Sequence, residues 1–152
     1  MDKQFMALAL EEAQKAYELG EVPVGAVVVR NGQVIARAHN LRETEKDPLA
    51  HAEMLAIRQA AKEGWRLRDC TLYVTLEPCP MCAGALLMAQ IGRVVFGAFD
   101  EKQGCLGSRY HFLADPVFYH HAPAEGGLME AECQELLKRF FVNRRGIDSR
   151  AD

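Results

Sequence analysis

Hydrophobic positions along the chain follow two rhythms. Phe5, Leu8, Ala9, Ala13, Ala16 and Tyr17 recur at helical spacing, with Asp2 placed to cap the helix and Gly20 to end it. Residues 22–29 are β-rich and almost wholly apolar, which reads as a strand covered on both faces. Asn31-Gly32 is a strong two-residue hairpin signal, so residues 33–38 return antiparallel. The polar stretch 39–50, with Pro48 inside it, is a loop. Met54, Leu55, Ile57, Ala60 and Ala61 then mark a helix over 51–63, stopped by Gly64. Residues 71–76 read as a strand, 79–90 as a core helix with its prolines at the start, and 93–98 as another strand. The glycine-spotted segment 99–127 predicts no element. An amphipathic helix over 129–142 precedes a basic tail. This order predicts one domain over 1–152, a mixed sheet with helices on both faces.

Composition changes this picture little. At 152 residues, 49% hydrophobic and 26% charged, the chain suits one soluble globular domain. No apolar run is long enough to span a bilayer, and the N-terminus does not read as a signal peptide. An odd count of five cysteines argues against a disulfide framework and for a reducing cytoplasm. Cys70, Cys105 and Cys133 read as small core or loop residues. The net charge of −3 gives no global pull toward nucleic acid. Lys138, Arg139, Arg144, Arg145 and Arg150 nevertheless gather positive charge at one end, where local patches serve phosphates. The same cations also suit the C-terminal end of a helix dipole.

The chemistry lies in two short motifs. Cys79 and Cys82, in Glu77-Pro78-Cys79-Pro80-Met81-Cys82, present two sulfurs on one face of a starting helix. Two thiolates fill half a tetrahedral site, and His51 of His51-Ala52-Glu53 supplies a third ligand. Three ligands leave a place for water, whose pKa zinc lowers to roughly 7. Glu53 is the proton carrier. Residues two apart on a regular helix point roughly 200° apart, so His51 and Glu53 share a site only if His51 sits at the helix start. A thioredoxin-like redox pair is the rival reading, but it would leave His51 and Glu53 idle. A non-catalytic RNA-binding or structural zinc protein is a second rival, and it has no use for Glu53.

These residues resemble the signature of the zinc-dependent nucleobase deaminases, of the cytidine/deoxycytidylate deaminase superfamily. The resemblance runs over nearly the whole chain, including residues 21–27, 47–53, 72–79 and 91–98. Within the superfamily, 100–108 and Phe140-Phe141 look like the bacterial tRNA-specific adenosine deaminases. Bacterial guanine deaminases share the metal motif and form the alternative. The resemblance implies a three-layer α/β/α fold with a five-stranded mixed sheet, one zinc per subunit and a homodimer whose anticodon site uses both subunits. It implies hydrolysis of adenosine to inosine at the wobble position of a tRNA anticodon stem-loop, with release of ammonia. It assigns the metal to His51, Cys79 and Cys82 and proton transfer to Glu53. Asn40 and Ala52 are assigned to the base, though Asn40 also reads as a loop-capping residue. Asp100, Lys102, Ser108, His120 and Phe140 are assigned to the anticodon loop.

Overall fold

The computed structural model describes residues 1–151, with side chains described through 144. Its elements are α1 (Asp2–Glu18), β1 (Gly25–Arg30), β2 (Gln33–His39), α2 (Ala52–Ala60), β3 (Cys70–Leu76), α3 (Pro80–Met88), β4 (Arg93–Ala98), β5 (Ala124–Gly126) and α4 (Glu130–Ala151). A single 3-10 turn, Ala61–Glu63, prolongs α2. The strands form one mixed sheet in the order β2-β1-β3-β4-β5. β1 is antiparallel to both β2 and β3, while β3, β4 and β5 run parallel.

Side chains alternate across the pleat, so the central strands feed two cores. Ala26, Val28, Leu72, Val74, Val94 and Phe96 face one way, onto Ala52, Ala56, Ala83 and Leu86 of α2 and α3. Val27, Val29, Tyr73 and Val95 face the other way, onto Phe5, Met6 and Ala9 of α1 and Cys133 of α4. The expected three layers, α/β/α, follow from this alternation. The approach of α1 is very close: a Cβ on Gly25 would stand 2.0 Å from the Ala9 carbonyl oxygen and 2.4 Å from the Ala13 nitrogen. Only glycine fits there. Among the described residues, no helix is long and apolar enough to cross a membrane.

Three expectations need correction. Asp2 does not cap α1: Met1 holds the N-cap position, with no side-chain cap bond. The Asp2 carboxylate instead accepts hydrogen bonds from the Tyr73 hydroxyl and the Arg93 guanidinium. Charge-assisted bonds outcompete a neutral amide for a carboxylate. The last helix, Glu130–Ala151, runs past Val142: no proline follows, and the single glycine, Gly146, costs a helix only about 1 kcal/mol. The 99–127 segment does contain a strand, β5, whose three residues are half-exposed or exposed and show no apolar pattern. Its place is set from outside, by pairing with β4 and by the Val94 amide donating to the Pro123 carbonyl at 3.0 Å.

Candidate active site

The site begins where two helices begin. His51 is the N-cap of α2, with extended backbone at φ −72° and ψ 153°. This lets its imidazole turn toward the same space as Glu53, which lies in the first helical turn. Cys79 is the N-cap of α3, likewise extended at φ −74° and ψ 174°, with Pro80 opening the helix. Cys82 follows one turn later and is fully buried. Proline is tolerated there because the first helical N–H groups have no partner in the helix. Both helix starts aim free N–H groups and positive dipole potential at the site, which favours thiolate.

The three ligand atoms converge. Nδ1 of His51 stands 3.6 Å from Cys79 Sγ and 3.5 Å from Cys82 Sγ. Zinc bonds of ~2.3 Å to sulfur and ~2.05 Å to nitrogen, at a tetrahedral angle, separate the two donors by about 3.6 Å. All three donors lie within 4.8 Å of one another. The set therefore fits zinc in distance as well as in donor type. The three groups are strongly coupled. The hydrogen bond from Cys82 pulls the Cys79 thiol down to about 4, helped by His51. That same bond, together with burial, pushes the Cys82 thiol up. The bond to Cys79 raises the His51 imidazole.

Glu53 is only 4% exposed, and burial lifts its carboxyl to about 7. It forms part of the floor of a cavity of about 1260 Å³, together with His51, Ala52 and Cys79. Ala52 is fully buried beside the cavity. Asn40 ties the loop. Its Nδ2 donates to the Val22 carbonyl at 3.2 Å and its Oδ1 accepts from the Arg42 amide at 3.2 Å. It also lines the cavity, with one amide hydrogen left to offer.

Of the residues assigned to RNA, Asp100, Lys102, Ser108 and Phe140 line this cavity, and His120 does not. His120 Nε2 donates to the Ile91 carbonyl at 2.7 Å and so braces the loop beyond β4. Asp100 Oδ1 accepts from the Lys102 and Gln103 amides at 3.0 and 3.2 Å, a local turn. Phe140 is 8% exposed and wedged edge-on against Tyr17, whereas the neighbouring Phe141 is 45% exposed at the cavity rim. Arg144 lines the rim as well. Arg145 and Arg150 lie outside the residues whose side chains are described.

Two buried carboxylates were missed as parts of the site. Glu21 accepts from the Glu43 and Thr44 amides and holds the 40–50 wall. Glu77, adjacent to the metal motif, accepts from the 100–108 wall. Their sequence signal was a carboxylate next to an apolar run and just before a proline or Val-Pro, where burial without partners would be costly.

A cytidine-deaminase-like sheet, a His/Cys/Cys donor set at two helix starts and a buried glutamate beside it define a zinc-dependent deaminase. Residues 1–98 match the cytidine and deoxycytidylate deaminase zinc-binding region, and the chain belongs to that family. It is 55% identical over 146 residues to the tRNA-specific adenosine deaminase of Bacillus subtilis (strain 168), covering 95% of this chain and 91% of the relative. It is 48% identical over 147 residues to the tRNA-specific adenosine deaminase of Haemophilus influenzae, covering 95% and 85%. A solved structure from studies of A-to-I editing by tRNA:A34 deaminases superposes with a TM-score of 0.84 at 45% identity, covering 88% of this chain and 98% of that one. The guanine deaminase of B. subtilis gives a TM-score of 0.60 at 41% identity and covers 63% of each chain. The two tRNA-specific relatives keep 48–55% identity over 95% of this chain, whereas the match to the B. subtilis guanine deaminase spans 63% of it.

Proposed function

We propose that this protein deaminates adenosine to inosine at the wobble position of a tRNA anticodon, releasing ammonia. The observation that carries this reading is the size and lining of the cavity over Glu53. Small-molecule pockets run ~300–1,000 Å³, and this one exceeds them at about 1260 Å³. Its rim adds Lys102, Phe141 and Arg144, groups suited to stacking bases and holding phosphates. A free purine would leave most of that surface unused. A wobble base is already unpaired, so drawing it into the pocket costs less than opening a duplex.

Zinc held by His51, Cys79 and Cys82 would supply Lewis acidity, making water acidic enough to act as a nucleophile near neutral pH. The chain does the rest. Asn40 and the backbone at Ala52 orient the base. Glu53 takes the proton that water loses on attacking C6 and delivers protons to the ring nitrogen and the departing amine. Burial of Glu53 keeps bulk water from competing for that proton.

The test offers a tRNA with adenosine at the wobble position alongside free adenosine, adenine, guanine and cytidine. Inosine in the tRNA, with no release of ammonia from the free compounds, is the expected result. Rapid deamination of guanine with an unmodified tRNA would reverse the assignment in favour of a guanine deaminase.

We also infer a homodimer. The α3 sequence carries no charged residue, and Met81, Ala85 and Met88 share one face, with Met88 72% exposed. Sedimentation should give twice the monomer mass, and Met88→Glu should lower it. A reducing cytoplasm suits the chain, because its five cysteines are all free.

A further inference from the structure

The tRNA reading leaves open how a loop as irregular as 100–108 could present a defined surface to RNA. Glu77 answers this. The side chain is 2% exposed and stands at the end of β3, two residues before the ligand Cys79. Its Oε1 accepts from the Asp100 amide at 3.1 Å and from the Ser108 hydroxyl. Its Oε2 accepts from the Leu106 and Ser108 amides, each at 3.0 Å. One carboxylate therefore collects both ends of the loop.

The loop is shaped to permit this. A Cβ on Gly104 would stand 2.3 Å from Glu77 Cδ and 2.5 Å from the Asp100 carbonyl oxygen, so the backbone passes over the carboxylate at a distance only glycine allows. Beside it, the Cys105 amide donates to the Pro78 carbonyl at 3.0 Å. Consecutive residues, Glu77 and Pro78, thus hold the loop, and the next residue holds the metal. A buried carboxylate without donors is costly. Burial of Glu77 and closure of the loop therefore require each other, and neither state survives alone.

We propose that Glu77 is a positioning residue: it fixes the 100–108 wall in register with the metal centre, so that Asp100, Lys102 and Ser108 meet the RNA at a set distance from the reacting base. The inference rests on the tRNA reading for its substrate. A wall assembled before binding spares the ordering cost that a mobile loop would pay at the moment of association.

The test compares Glu77→Gln, Glu77→Asp and Gly104→Ala with the unaltered holoprotein. Zinc per chain, hydrogen exchange at the amides of Asp100, Leu106 and Ser108, and kcat and KM on an anticodon stem-loop with wobble adenosine are measured. Glu77→Gln puts an NH₂ among the donors. It should retain zinc, exchange at those amides at least ~10-fold faster, and raise KM ~10-fold with kcat changed less than ~3-fold. Glu77→Asp keeps the charge and should recover part of the loss. Gly104→Ala leaves the carboxylate intact and forces the loop off it, so it should show the same pattern, and it decides the matter if Glu77→Gln does not fold. Unchanged exchange at the three amides, or a fall in kcat with KM unchanged, would overturn the proposal. If the unaltered protein does not act on the stem-loop, the tRNA reading fails, and the exchange data alone still decide whether Glu77 holds the loop.

Discussion

Arg93 and Asp2 join β4 to the first turn of α1 across 91 positions of sequence, with guanidinium nitrogens 3.0 and 2.7 Å from the two carboxylate oxygens. The Tyr73 hydroxyl donates to the same carboxylate. The Arg93 guanidinium, then Tyr73, hold the Asp2 carboxyl down at about 2 from an ordinary 3.8. A carboxyl whose pKa is depressed in the folded state stabilises the fold above its unfolded pKa and loses that contribution as pH falls through the folded value. Both side chains are partly exposed, so the pair is worth about 1 kcal/mol or less. Asp2→Asn should lower Tm by ~2–4 °C at pH 7. The difference from the unaltered protein should shrink between about pH 4 and pH 2. Thermal unfolding at four or five pH values checks this, and a constant difference would count against the pair.

Metal content should track the ligand set. The unaltered protein should hold about one zinc per chain, and Cys82→Ala, which leaves two ligands, should lose most of it. Elemental analysis after dialysis against a mild chelator gives the answer. Full zinc in the variant would remove Cys82 from the site.

Glu53 should separate chemistry from assembly. If it carries protons and does not bind metal, as proposed, Glu53→Ala should keep zinc and its thermal transition while turnover falls by at least ~10²–10⁴. Single-turnover formation of inosine measures the loss. Near-normal turnover would assign the proton to another group.

RNA binding should fade as salt rises, since phosphate contacts release counterions on association. Arg144 lies on the cavity rim in a chain whose net charge is −3, so local cations must do this work. Arg144→Ala should weaken stem-loop binding and reduce the magnitude of the slope of log K against log salt by about 1. Titrations at four salt concentrations check it. An unchanged slope would place the phosphates elsewhere.

Gly25 offers a test of the core alone. Gly25→Ala drives a methyl into the α1 backbone and should cost ~1–3 kcal/mol or more, with zinc still bound by the fraction that folds. Denaturant unfolding measures it.

The central elements were legible because their physics is local. The apolar run of β1, the Asn31-Gly32 turn and the alanine-rich face of α2 each announce themselves within ten residues. The metal site was legible for a second reason: ligand chemistry admits few residue types, and the extended backbone at His51 was the one geometry that reconciled it with Glu53. β5 was not legible, since Ala124–Gly126 gains its identity only from β4 beside it. The misplaced cap at Asp2 has the same cause, a partner 91 residues away. The bond from His120 Nε2 to the Ile91 carbonyl was likewise not legible, since the two residues lie 29 positions apart.

Ala52 and Ala83, just inside the two ligand-bearing helices, are fully buried in the core, while the cavity walls are outlying segments tethered through Glu21 and Glu77. The molecule thereby divides its heritable labour. The ligand-bearing floor is built into the buried core, and each wall of the cavity is seated on a single carboxylate. A gene encoding this arrangement can alter the periphery of its cavity, through Glu21 and Glu77, while the helix starts that carry the ligands stay where they are.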